Sequence, residues 1–277
     1  MRRNSSRRRG VGFGAGLALA LTLTVLYAPI AQLLVSSFNR NSLTASWKGF
    51  TTRWYSQALD NEQVVDAAAR SLRLALVVSF AAAIIGGLAV LVVRRHPKWS
   101  ALVRSFAAAR LAVPEIVLAV ALGVVLPLFD VRPGAPAMWF GHTVFLSGYV
   151  VLVVGARLAD LDPSLEDAAA DLGARPLGVL RHVVVPHMIP ALLASTVLVA
   201  AFSFDDVLLS NRLGGPQDTT LPVVIVSMAT RRPTPELDAI GSLVVLAGVG
   251  AFIVSLLVSR LRGGFARDLV AGANVGT

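Results

Sequence analysis

Residues Ser164 to Pro190 read SLEDAAADLGARPLGVLRHVVVPHMIP, a polar, charged block punctuated by glycine and proline. The chain around it is mostly hydrocarbon: of 277 residues, 55% are hydrophobic and only 15% charged. That balance lies outside the range of an average soluble domain and points to an integral membrane protein. Within the block, local chemistry specifies order. Asp162 can cap a helix whose first residue is Pro163, where the missing N–H costs little. Leu165, Ala168, Ala169 and Leu172 recur at i, i+3, i+4 and i+7 as one apolar stripe, with Glu166, Asp167 and Asp171 facing elsewhere. Gly173 is a natural left-handed stop. Pro176 can begin a second short helix through Val184, and Pro186 ends it or bends the chain onward. The product is helix, glycine elbow, helix. Alanine buries little area but lets another surface come close, which suits docking of a partner. The competing reading is a compact re-entry loop packed against neighbouring membrane spans.

Outward from this block, apolar windows set the frame. A helix needs about 20 apolar residues to cross about 30 Å of hydrocarbon. Six such windows stand free of clustered charge: Val11–Phe38, Leu74–Val93, Leu111–Phe129, Met138–Ala156, Ile189–Ser210 and Ala239–Ser259. The start, MRRNSSRRRG, followed by an apolar run, resembles a signal peptide. The run exceeds the roughly 7–15 apolar residues of such a peptide, so it is expected to stay as the first span. Lysine and arginine concentrate before the first span, between the second and third (Arg94, Arg95, Lys98, Arg104, Arg110), between the fourth and fifth, and after the sixth. By the positive-inside bias both termini and the elbow are expected in the cytoplasm. The expected division is a basic cytoplasmic N-terminus (1–10), a first transmembrane helix (11–38), an extracytoplasmic segment (39–73), a transmembrane core (74–262) holding the loop 157–187, and a cytoplasmic tail (263–277). The net charge of +9 sits in short runs beside apolar segments. It therefore reads as topology-setting and not as a nucleic-acid face.

Three acids fall inside these windows. Glu115 lies about five residues into the third span, and Asp205 and Asp206 lie late in the fifth. An ionisable group near the bilayer centre costs roughly 2.5–3.5 kcal/mol, so such groups usually face a polar cavity. Pro114 beside Glu115 would loosen the helix and free a carbonyl. Carboxylates facing one path favour a cationic solute and repel an oxyanion. The competing readings are that Asp205 and Asp206, about 24 Å across the span, are simply wet near the outer headgroups, and that Glu115 pairs with Arg110.

Other residue types narrow the chemistry. Trp47, Trp54, Tyr55, Trp99, Trp139 and Phe140 fall near the expected interfaces, as membrane belts do. His142 reads as a hydrogen-bonded packing residue. His182 and His187 lack a third ligand at metal spacing, so no metal is assigned. With no cysteine, disulfides and thiol chemistry are excluded. No HExxH, GxSxG or paired-histidine pattern occurs, so no catalytic residue and no cofactor are expected. A Gly-x4-Gly-Lys-Ser/Thr phosphate loop is also absent, so ATP hydrolysis by that route would fall to a partner.

The quoted block resembles the EAA loop of inner-membrane permease subunits of ABC importers. Its pattern is Glu-Ala-Ala, three residues, Gly, nine residues, then aliphatic, any residue, aliphatic and Pro. Asp167, Ala168, Ala169, Gly173, Val183, Val185 and Pro186 match that spacing, with Asp for the usual Glu and valines for Ile and Leu. The resemblance extends from the first span to the sixth. Two further stretches, Val113–Gly123 and Phe202–Leu243, resemble the second permease subunit of spermidine/putrescine importers.

The resemblance implies an all-α membrane protein with six transmembrane helices in the type I ABC importer fold. It implies a coupling role for Glu166, Asp167, Ala168, Ala169, Gly173 and Pro186. It also implies an assembly with two ATPase subunits, a second permease and an extracytoplasmic solute-binding protein docking near the loop from Asn211 to Asp238, all in the cell's inner membrane among its lipids. Related importers of ferric iron, sulfate or thiamine share parts of the pattern. A self-sufficient secondary transporter is the alternative of another class, and it would not need the elbow.

Overall fold

In hydrocarbon a backbone must satisfy its own hydrogen bonds, so apolar runs of this kind fold as helices unless they close into a barrel. The computed structural model describes residues 6–41, 46–231, 234–250 and 253, with side chains from residue 14 onward except at 110 and 111. Among these, every regular element is helical, and the isolated bridge Asn39↔Phe50 is the β contact. Four helices are long and apolar enough to cross a membrane, Gly14–Ser36, Glu62–Arg95, Ala135–Ala159 and Pro176–Asp205, joined by the shorter apolar helices Glu115–Phe129 and Leu221–Arg231. The chain divides into two compact units.

The first unit joins residues 1–61 to 227–277. Its helix α1 (Ser6–Ser36) leaves Leu17, Val25 and Leu26 exposed. Beyond α1 the chain is tied down by aromatic contacts. Phe38 stacks on Phe50 with centroids 5.1 Å apart, Ser37 bonds the Tyr55 hydroxyl at 2.7 Å, and the Trp54 indole donates to the Asn39 carbonyl at 2.7 Å. Trp54, expected in an interfacial belt, is thus a buried anchor of α2 (Arg53–Asp60). A helical run covers residues 235–250, where the expected sixth span begins; residues 251–252 and 254–259 of that span lie outside the described ones.

The second unit, Glu62–Val226, is built on α3 (Glu62–Arg95), α6 (Ala135–Ala159) and α9 (Val185–Asp205), which pack pairwise. Its core threads Val78 and Ala82 of α3, Val150 and Val154 of α6, and Val199 of α9, all inaccessible to solvent. Helix association in lipid gains little from hydrophobicity and depends on close backbone approach at small residues. Gly86 supplies it: a β-carbon there would stand 2.6 Å from the Val150 β-carbon. Around this trio lie α4 (Ser100–Ala112), α5 (Glu115–Val125), α7 (Ser164–Asp171), α8 (Pro176–Val179), α10 (Leu208–Leu213) and the start of α11 (Leu221–Arg231).

Three expected continuous segments are broken or rejoined. The third span is two helices: Val113 is extended because the residue before proline is driven from the α region, and Glu115 opens α5. The fifth span stops at Asp205, because Asp206 is extended (ψ 128°) and its carboxylate accepts the Ser210 N–H at 2.8 Å, capping the short α10. Pro186, conversely, does not end its helix. The helical run continues from Pro176 to Asp205, with a wide π segment at Leu180–Val184 in which the Val185 N–H reaches back five residues to the Leu180 carbonyl. A proline without an N–H leaves a carbonyl unpaired one turn earlier, and a widened turn relieves the resulting crowding. The expected docking loop Asn211–Asp238 is itself largely helical, holding α11 and the start of the run at 235.

Candidate functional site

At one end of the second unit is the elbow. Asp162 Oδ1 accepts the Ser164 N–H at 2.9 Å, and this bond holds its carboxyl below the usual carboxylate range. α7 then ends in a Schellman motif: the Gly173 N–H bonds the Ala170 carbonyl (2.8 Å) and the Ala174 N–H the Ala169 carbonyl (3.0 Å), with Gly173 at φ 86°. A β-carbon at Gly173 would meet nothing within 4 Å. The glycine is therefore needed for backbone conformation and not for space.

The elbow is pinned from behind. Arg94, in the last turn of α3, donates Nε to Glu166 Oε1 (2.7 Å), pairs with the same carboxylate through Nη2, and donates Nη1 to the Leu158 carbonyl (2.8 Å) at the end of α6. Arg95 donates to the Pro176 carbonyl at 3.1 Å. One guanidinium thus joins α3, α6 and α7. The outer face is bare: Leu172 is 90% exposed and Leu177 71%, with Leu165, Asp167 and Ala168 also exposed and Ala169 half-buried. Pro186 lies behind, at the start of α9.

At the other end of α9 the three sequence-expected acids meet. Glu115, Asp205 and Asp206 line one cavity of about 280 Å³, together with His142, Tyr149 and Phe202. Sequence separation hides this convergence, although α6 and the end of α9 each present their own lining residues at helical spacing. His142, Phe145, Leu146 and Tyr149 recur at i, i+3, i+4 and i+7 on α6, as Phe202, Asp205, Asp206 and Leu209 do across the end of α9, and all of them line the cavity. Glu115 is half-buried at the first turn of α5, where the helix dipole favours a carboxylate. Asp205 is exposed, whereas the Asp206 side chain is 7% exposed. Arg110, the alternative partner considered for Glu115, has a side chain outside the described ones.

His142 is completely buried and holds this end together. Its Nδ1 lies 3.1 Å from Ser203 Oγ, its Nε2 3.3 Å from Ser210 Oγ and 3.5 Å from Asp206 Oδ1. It is hydrogen-bonded as expected, and through Asp206 it also reaches the cavity. Tyr149 and Phe202, which sequence reading passed over, face each other with centroids 4.9 Å apart. Among the described lining residues there is no lysine or arginine. An acidic cavity with apolar walls concentrates field and draws cations, and aromatic faces add to the attraction.

An all-helical membrane bundle with a glycine-elbowed loop at one end and an acid-lined cavity at the other is the layout of a transporter's membrane subunit. The chain belongs to the family of binding-protein-dependent transport system inner membrane components, whose model matches residues 75–270. It is 33% identical over 256 residues to the putrescine transport system permease protein PotI of Escherichia coli K12, covering 89% of this chain and 91% of that one. It is 34% identical over 236 residues to the spermidine/putrescine transport system permease protein PotC of the same organism, covering 85% and 89%. In fold it is similar to a chain of a bacterial ABC transporter that imports the acidic polysaccharide alginate, with TM-score 0.67 and 14% identity over 94% of this chain and 99% of that one. The fold is thus that of an ABC importer permease.

Proposed function

We propose that this chain forms half of the translocation path of an ATP-driven importer for polyamines, the class to which putrescine and spermidine belong. The observation that carries the reading is the convergence of Glu115, Asp205 and Asp206 on one cavity with the rings of Phe145, Tyr149 and Phe202 and, among its described lining residues, no lysine or arginine. A linear polycation matches that chemistry; sulfate would be repelled. The substrates named in the two Escherichia coli relatives, putrescine and spermidine, support the same class.

The elbow is the seat for a cytoplasmic ATPase subunit. Its exposed leucines offer apolar contact, and Asp167, Ala168 and Ala169 lie on a stiff, capped helix. Closure of the ATPase pair pushes α7, and the Arg94 bridge passes the push to α3 and α6 as well as along the chain into α9. Such a joint works when the element has two seated positions. The chain performs no hydrolysis itself; a second permease completes the path, and an extracytoplasmic binding protein delivers solute beside the Asn211–Asp238 segment. Both termini then lie in the cytoplasm, with 39–73 outside and 74–262 as the core.

The deciding experiment is ATP-dependent uptake by the complete complex in proteoliposomes, with labelled putrescine, spermidine, ferric iron and thiamine compared side by side. Selective accumulation of the two amines supports the reading. Equal accumulation without ATP, or preference for iron or thiamine, overturns it.

A further inference from the structure

A second hollow, of about 310 Å³, opens between α3, α4 and α6 at the end of the unit where Arg94 meets the elbow. Its volume falls in the range of small-molecule sites, roughly 300–1,000 Å³. The walls are hydrocarbon, with Val90, Val103 and Leu152 on its three sides. The space exists because α6 turns Gly155 and Ala156 toward it; a β-carbon at Gly155 meets no atom within 4 Å.

Two arginines line this otherwise apolar space, and they differ. Arg94 is committed to Glu166 and the Leu158 carbonyl. Arg104 is exposed, and among the described residues it bonds only back to Ser100 of its own helix (Oγ 2.7 Å, O 3.2 Å) and pairs with no carboxylate. Lys98 and the exposed Trp99 stand immediately before α4. Tryptophan beside lysine marks the depth of lipid headgroups. A hydrocarbon slot carrying an uncommitted cation at headgroup depth is complementary to an amphiphile with an anionic head. A soluble anion has no use for the walls, and a zwitterionic lipid presents no net charge to the guanidinium.

We propose that this hollow is a binding site for an acidic phospholipid, with an acyl chain between α3, α4 and α6 and the phosphate on Arg104. Occupancy would brace the ends of α3 and α6 that receive the push from the elbow. Which leaflet supplies the lipid follows from the cytoplasmic orientation above; the binding itself does not depend on it.

The test uses the complete transporter in nanodiscs of phosphatidylcholine and phosphatidylglycerol, with retained lipid read by native mass spectrometry and contacts mapped with a diazirine-bearing phosphatidylglycerol. The expected result is enrichment of phosphatidylglycerol over the surrounding bilayer and crosslinks on α6. Arg104→Gln should lower retention about fivefold, the effect of one interfacial cation. Gly155→Leu should fill the hollow and remove the crosslinks while the complex still assembles. Should the leucine variant fail to assemble, Arg104→Gln, on an exposed side chain, decides alone. Equal retention of both lipids, unchanged retention in Arg104→Gln, or crosslinks from α6 into the companion permease would overturn the proposal.

Discussion

The two ends of α9 treat negative charge in opposite ways. At the elbow end, Glu166 is claimed by Arg94, and its carboxylate serves as a fastener between α7, α3 and α6. About 30 Å away, at the far end of a 21-residue helix, Asp205 and Asp206 face a cavity whose described lining contains no lysine or arginine. Glu166 is fastened by a guanidinium and Asp206 by the Ser210 N–H, whereas Asp205 stays exposed on the cavity. Partner geometry, more than residue type, separates a joint from a binding surface.

The comparison breaks most visibly at Asp206. Replacing it with alanine leaves the Ser210 N–H without its acceptor in a nearly dry site, and an abandoned buried group costs about 1–3 kcal/mol. ATP-driven putrescine uptake by the assembled complex is expected to fall by about tenfold or more. If the cavity is not on the path, uptake per assembled complex will be unchanged.

Arg94→Met tests the other end. Glu166 is 29% exposed and Arg94 24%, so the loss lies below that of a fully buried pair, at about 1–2 kcal/mol. Uptake should drop by about tenfold while the ATPase subunits continue to hydrolyse, the signature of a slipping joint. Exchanging the pair, Arg94→Glu with Glu166→Arg, should recover part of the coupling. Parallel loss of uptake and hydrolysis in Arg94→Met would instead mean that the pair serves assembly alone.

Gly173→Ala is expected to act more mildly, because the added methyl meets open space and the cost is confined to a positive φ, about 1 kcal/mol. Thermal unfolding of the detergent-solubilised chain should shift slightly downward, and coupling should fall a few-fold. A bulky residue at Gly173 should abolish ATP-driven uptake with insertion intact, whereas a self-sufficient transporter would be little affected.

The smallest effect belongs to Asp162. Its carboxyl titrates lower in the fold than in the unfolded chain, so its bond to Ser164 stabilises α7 above the unfolded value and is lost as pH falls through the folded one. Asp162→Ala should therefore lower the unfolding temperature slightly at about pH 6, and the difference should shrink progressively as the pH falls below about 4. A gap that persists at low pH would assign the effect to something other than charge.

Much of the elbow was legible because its determinants are local. Capping at Asp162, the periodic stripe of α7 and the left-handed stop at Gly173 involve neighbours within a few residues. The breaks were only half legible. Pro114 signalled a loosened helix but not a full interruption, and Asp206 gave no sign of stopping α9, because its effect depends on a bond to Ser210 that forms only once α10 folds back. The three acids were each picked out by the cost of charge in hydrocarbon. Their convergence was not, because Glu115 is 90 residues from Asp205 in the chain.

By itself, then, the amino-acid order determined the helical class, the membrane setting, the elbow and the charged residues that had to be explained. These follow from backbone satisfaction in lipid, from side-chain periodicity and from caps spanning a few residues. Only tertiary structure decided that Glu166 closes onto Arg94, that three distant carboxylates share one cavity with Tyr149 and Phe202, and that small residues on α6 leave a hollow beside Arg104. Contacts across helices depend on register and rotation, which no local pattern encodes.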